Sequence, residues 1–147
     1  IAALVVSLAA LALAAAAWFK PTHPESDGKP QYSEQQVADA KKNLCDAYET
    51  IHEAIRNAGG LSSEDPNQKF MISLNTRLAF NTAADHLLAA VAQNPAGPSD
   101  LLAASEALAF SYQKIVLKQT AQAPADALEH LYAESDSSIA ELKRFCG

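Results

Sequence analysis

Two cysteines and one carboxylate–imidazole pair are the residues whose types and spacing could do chemistry: Cys45, Cys146, and Glu49 with His52. An E-x-x-H step sets both side chains on one side of a helix, the way carboxylate-bridged di-iron bundles present two of their ligands. Such a site needs a second E-x-x-H and two further glutamates. Here Glu129 is followed at once by His130, and Tyr132 stands where the second histidine belongs. A mononuclear site built from Cys45, Glu49 and His52 would need Cys45 as a thiolate. No serine sits in a G-x-S-x-G elbow, and there is no glycine-rich phosphate loop, CxxC or CxxCH. Two cysteines in a chain with an export-type segment fit one disulfide better than a redox or metal motif. The expectation is therefore a Cys45–Cys146 bridge, no cofactor, no metal and no enzymatic activity.

The export-type segment is Ile1 to Phe19, which carries no charged side chain and is followed by Lys20 and Pro21. That length suffices to cross a bilayer as a helix. Trp18, Phe19 and Lys20 then fall at the headgroup level, where amphipathic rings and a snorkelling amine anchor the end of a span. A cleaved signal peptide is the other reading, since the Ala14 to Ala17 run offers small residues of the kind found at cleavage sites. The retained anchor places the rest of the chain on the extracytoplasmic, periplasmic side of a cell membrane. The net charge of −6, with acidic residues spread along the chain, argues against nucleic acid and against a polybasic lipid-binding surface.

Residues 20–32 read as a linker, because Pro21, Pro24, Gly28 and Pro30 interrupt any periodic pattern. Fully extended, it reaches at most about 40 Å. From residue 33 to 147 the pattern predicts four amphipathic helices joined by short turns, hence an all-α fold with an up-down-up-down four-helix bundle behind the anchor. Ser33 caps the first helix and Gln36 closes a capping box. Val37, Leu44, Tyr48, Ile51 and Ile55 line its apolar face, and Gly59 and Gly60 end it. The second helix starts with Asp65 as cap and Pro66 at the first helical position, and runs to Asn94 before Pro95. The third follows Gly97, Pro98 and Ser99, with Leu101, Leu108, Tyr112, Ile115 and Val116 inward. The fourth opens around Pro124 and carries Leu128, Leu131, Tyr132, Ile139 and Leu142. In this topology the first and last helices run antiparallel and Cys146 shares a face with Leu142 and Ile139, so a bridge to Cys45 staples the first helix to the last.

Two features depart from a plain bundle. On the second helix Arg77, Asn81 and Asp85 recur every four residues inside the apolar arc, separating Phe70, Leu74 and Leu78 from Phe80, Leu87 and Val91. Either these three form a buried polar ladder, since buried charges are normally paired, or one apolar side faces a partner with the polar stripe at the seam. On the third helix Phe110 and Leu117 point away from the core face beside Ala103 and Ala107, and two large apolar residues on a small-residue face make a docking patch.

The run Tyr32, Ser33, Glu34, then Val37, Ala40, Lys41, Leu44, Cys45, Ala47 and Tyr48, with Arg77 to Ala79 midway, Pro95 after the second helix and a late Cys146, resembles the alanine-rich single-pass membrane proteins of mycobacteria and related actinobacteria. The resemblance covers most of the chain and implies a cell-envelope setting; it offers no activity. The function expected is thus a membrane-anchored accessory or interaction protein, a subunit or stabilising factor of a larger envelope complex. Phe110 and Leu117 come first as partner-binding residues, and Arg77 and Asp85 second. The alternative is a helical carrier for a lipid or other apolar small molecule, with Tyr48, Tyr112 and Tyr132 lining its cavity.

Overall fold

Ser33 opens the first helix by a reciprocal cap: its Oγ accepts from the Gln36 amide at 3.2 Å, and Gln36 Oε1 accepts from the Ser33 amide at 2.8 Å. In the computed structural model, which describes residues 31–147, this helix is α1 (Glu34–Gly59). The helices that follow are α2 (Pro66–Gln93), α3 (Ser99–Thr120) and α4 (Ala125–Cys146). The expected anchor at 1–19, its interfacial residues Trp18, Phe19 and Lys20, and nearly all of the linker lie outside the described residues. Among the described residues no helix is long and apolar enough to cross a membrane.

Each boundary has a local cause. Asp65 caps α2 by accepting from the amides of Asn67 at 2.8 Å and Gln68 at 3.1 Å. Pro66 follows at the position where a missing N–H costs nothing. Pro95 and Pro98 separate α2 from α3, since neither can continue a helix ladder. Between α3 and α4 the chain reverses through Gln122, whose φ of 53° is left-handed. The amide of Ala123 there donates to the carbonyl of Lys118 at 2.9 Å, closing the exposed end of α3.

Successive helices pack side by side, α1 on α2, α2 on α3 and α3 on α4. Their polarity follows from the contacts. In the first half of α1, Asn43 Nδ2 donates to Asn94 Oδ1 just past the end of α2, at 2.9 Å. At the far end of α1, the Ala58 carbonyl accepts from Thr76 Oγ1 at 3.3 Å. Between α3 and α4, Gln119 Nε2 donates to Tyr132 Oη at 2.8 Å. The result is an all-helical bundle whose neighbours in sequence are antiparallel neighbours in space. By contrast, α1 approaches α3 and α4 over only short stretches.

The core runs through all four helices. Leu44, Tyr48 and Ile51 of α1 meet Phe80, Ala84 and Leu87 of α2, Leu101, Leu108, Tyr112 and Ile115 of α3, and Leu131 and Leu142 of α4. Phe80 and Tyr112 stack edge to face at 4.9 Å, a geometry favoured by the ring quadrupoles. Cys45 and Cys146 are disulfide-bonded with α-carbons 5.4 Å apart, so the expected staple joins the middle of α1 to the last residue of α4.

Two predictions come from this packing. A Cβ on Gly97 would stand 2.6 Å from Cδ1 of Leu44 and 3.2 Å from the Asn94 carbonyl. Leu44 is fully buried and cannot swing aside without repacking, so Gly97→Ala is expected to cost about 1–3 kcal/mol. A chemical unfolding curve checks it, as a lower midpoint with unchanged slope. The second concerns Tyr112, whose ionisation is pushed above the ordinary tyrosine value of 10.0 by burial first, then by the nearby Tyr48 and Asp136. Above pH 10 the unfolded chain releases this proton while the folded chain keeps it, so the stability tied to Tyr112 is complete below pH 10 and lost as pH rises beyond it. Thermal unfolding between pH 9 and 11.5 should therefore fall more steeply in the native chain than in Tyr112→Phe.

Candidate interaction surface

The buried positions of α2 are Phe80, Ala83, Ala84 and Leu87. Continuing their stripe toward the N-terminus by steps of three and four residues lands on Thr76, Ser73 and Lys69, none of which is buried. Thr76 turns its hydroxyl to the Ala58 and Ile72 carbonyls. Lys69 pairs with Glu64 at 3.3 Å. Apart from the half-buried Ile72, the large apolar residues of this half lie on the other side: Phe70, Met71, Leu74 and Leu78 leave between 41 and 63% of their surfaces exposed. On a helical wheel their centre is roughly 140° from that of the buried set. The first half of α2 is thus inverted, polar toward the bundle and apolar toward solvent, and no residue before Phe80 in α2 is buried.

Of the residues singled out from the sequence, Phe110 and Leu117 stand on the outer face of α3, 50% and 68% exposed. Phe110 borders an open groove of about 400 Å³ between α3 and α4, with Lys114 one turn on along α3 and Glu134 and Ser138 across it on α4. Glu134 there forms an ion pair with Lys114 at 3.6 Å and lies 3.4 Å from His130. Arg77 and Asp85 are not brought together. Asp85 is exposed and accepts from Asn81 at 3.3 Å, whereas the Arg77 Nε is buried with no hydrogen-bond partner among the described residues. The buried-ladder reading of Arg77, Asn81 and Asp85 is therefore corrected: Asn81 and Asp85 face solvent, because the apolar residues beside them do too.

Tyr48 and Tyr112 are packed inside the core, and burial pushes the pKa of both above the ordinary tyrosine value. Tyr132 lies at the α3–α4 edge against Gln119. None of the three borders the α1–α2 seam, where two open grooves run end to end. The lower groove, about 310 Å³, is polar, lined by Asn43, Asp46, Gln93 and Asn94. The upper, about 370 Å³, is apolar, lined by Ile51, Ala54, Leu78, Ala79 and Ala83. Thr50 and His86 border both.

His52 stacks on Tyr48 with ring centres 5.6 Å apart. No group of three or more histidine, cysteine or carboxylate side chains able to hold a metal ion occurs among the described residues.

Met71 and the upper α1–α2 groove are parts of this surface that sequence reasoning missed. The polar run Lys69, Ser73, Thr76 on the would-be buried stripe was the available signal. No protein-family model, no curated protein and no solved structure matches the chain.

Proposed function

We propose that this chain is a membrane-tethered interaction protein of the cell envelope: residues 1–19 hold it at the bilayer, and the disulfide-closed helical domain presents apolar outer faces to protein partners. The observation that carries this reading is the inverted half of α2, where Phe70, Met71, Leu74 and Leu78 sit outside while the core lies on the opposite side. A stable monomer gains nothing from such a strip, and contiguous exposed apolar surface of this kind marks association sites. Phe110 and Leu117 on α3 supply a second face of the same character. A carrier role for an apolar small molecule is less well supported, because Tyr48 and Tyr112 are core residues, Tyr132 lies at the exposed α3–α4 edge, and the apolar groove is open to solvent.

The test is a mild-detergent purification of the full chain from its native membrane, comparing the native sequence with Phe110→Ser/Leu117→Ser and with Phe70→Ser/Leu78→Ser. Stoichiometric co-purifying protein that is lost in either variant, with the helical circular dichroism unchanged, supports the reading. Recovery of the native chain alone, or with lipid only, overturns it.

A further inference from the structure

We infer that the occupant of the inverted half of α2 is a second copy of this chain, packed antiparallel about a two-fold axis near Leu74 and Asn75. The inference rests on the interaction reading above and names the partner for one of its faces. Three observations bear on it.

The first is self-complementarity. A two-fold between Leu74 and Asn75 pairs each residue with the one whose number brings the sum to 149, so Met71 of one copy comes level with Leu78 of the other. Leu78 is part of the rim of the apolar α1–α2 groove of about 370 Å³. Met71 and the groove lie on the same flank of α2, the one toward α1. A two-fold axis perpendicular to the helices keeps that flank on the same side in both copies. The flexible thioether of each copy is therefore set at the mouth of the other's groove, and knob and hole belong to one face, as an isologous interface requires. On the opposite flank Phe70 comes within reach of the second copy's Arg77. That guanidinium makes no ion pair among the described residues, and an arginine over an aromatic ring is a favourable contact.

The second is charge. The chain carries −6, and two copies repel over most of their surfaces. From Pro66 to Ala84 the charged residues are Lys69 and Arg77, with no acid between them. Within this stretch no acid of one copy faces an acid of the other; just outside it the same register sets Asp85 level with the second copy's Glu64.

The third is area. The four exposed side chains present on the order of 400 Å² of surface per copy. With the neutral rim of Asn67, Asn75, Asn81 and Thr82 added on both sides, the pair passes the roughly 1,000 Å² that separates a specific interface from an incidental one. It remains at the small end, so a reversible dimer in the micromolar range is expected rather than a permanent one.

The experiment uses the full chain in density-matched detergent. Sedimentation equilibrium should show a monomer–dimer equilibrium that Leu74→Glu weakens by about 100-fold or more, since two like charges then meet at the axis. Leu74→Cys should form an intermolecular disulfide on mild oxidation, and Leu117→Cys, more exposed on α3, should not. A monomer throughout the micromolar range overturns the inference. So does a dimer that survives Leu74→Glu, which would place the contact elsewhere in the chain. A photo-crosslinker at position 74 in native membranes separates the two levels of argument. An adduct with the chain itself supports the dimer; an adduct with a different protein overturns the second copy but leaves the interaction reading intact; labelling of lipid alone overturns both assignments for this face.

Discussion

Replacing Cys146 by Ser, or reducing the Cys45–Cys146 bridge, should lower the unfolding free energy of the domain by about 3–5 kcal/mol. The bridge spans 101 residues of sequence, and for a closed loop of about that size the chain-entropy estimate is about 4.7 kcal/mol, set mainly by the constraint on the unfolded chain. Folded-state geometry sharpens the prediction. Packing runs from each helix to the next in sequence, and α1 meets α4 over only a short stretch, so little else closes the ring of helices at that seam. Loss of the bridge should therefore appear first as fraying of the last turns of α4, where Phe145 and Cys146 lean on the core, and only then as a lower global midpoint. Domains of this size hold about 5–15 kcal/mol in total, so about a fifth or more of the margin is at stake. Denaturant unfolding with and without reductant gives the global figure, and amide hydrogen exchange gives the order of events. The double variant Cys45→Ser/Cys146→Ser should match either single one, because each removes the same crosslink. An unchanged midpoint on reduction would mean that the α1–α4 seam holds without its covalent link.

The four helices were legible because their punctuation is local. Ser33 with Gln36 and Asp65 with Pro66 each satisfy or excuse the first amides of a helix from side chains a few residues away, and Pro95 and Pro98 break the ladder ahead of α3. No tertiary information is needed to see them. The cysteine pair was legible for a different reason: with two cysteines there is one possible intramolecular bridge, and the antiparallel order of the first and last helices brings the chain ends of the domain together. Which face of each helix turns inward was also readable for α1, α3 and α4, where the buried residues recur on one stripe. It was not readable for α2. Phe70, Leu74 and Leu78 on one side and Phe80 and Leu87 on the other have the same side-chain chemistry, so periodicity alone gives two apolar arcs and no rule for choosing between them. What decides is the neighbourhood: α3 supplies Tyr112 for Phe80, whereas the first half of α2 meets the Ala58 carbonyl through the Thr76 hydroxyl instead of an apolar partner. Exposure of Asn81 and Asp85 follows from the same choice.

Two phenylalanines on that one helix should consequently respond in opposite ways. Phe80 is 7% exposed, with its ring edge to face on Tyr112 at 4.9 Å and a tilted contact to Tyr132 at 6.4 Å. Truncation to Ala removes the ring that α2, α3 and α4 share, and leaves a cavity that the two tyrosines cannot fill while their own backbones are held by their helices. The expected loss is about 3–5 kcal/mol, comparable with that of the disulfide, and the two should be nearly additive if the sites do not share partners. Phe70 contributes to no part of the buried core, so Phe70→Ala should change the unfolding midpoint of the isolated chain by less than about 0.5 kcal/mol. Under dilute conditions, where association does not contribute, unfolding curves of the two variants measure the contrast directly. Equal destabilisation would mean that α2 is rotated toward its other apolar arc, which would bury Phe70, Leu74 and Leu78 and remove the surface on which association depends. A large effect at Phe80 with none at Phe70 instead leaves Phe70 free to act in binding, and any stabilisation it adds should grow with protein concentration, as expected for a group that is buried only when two molecules meet.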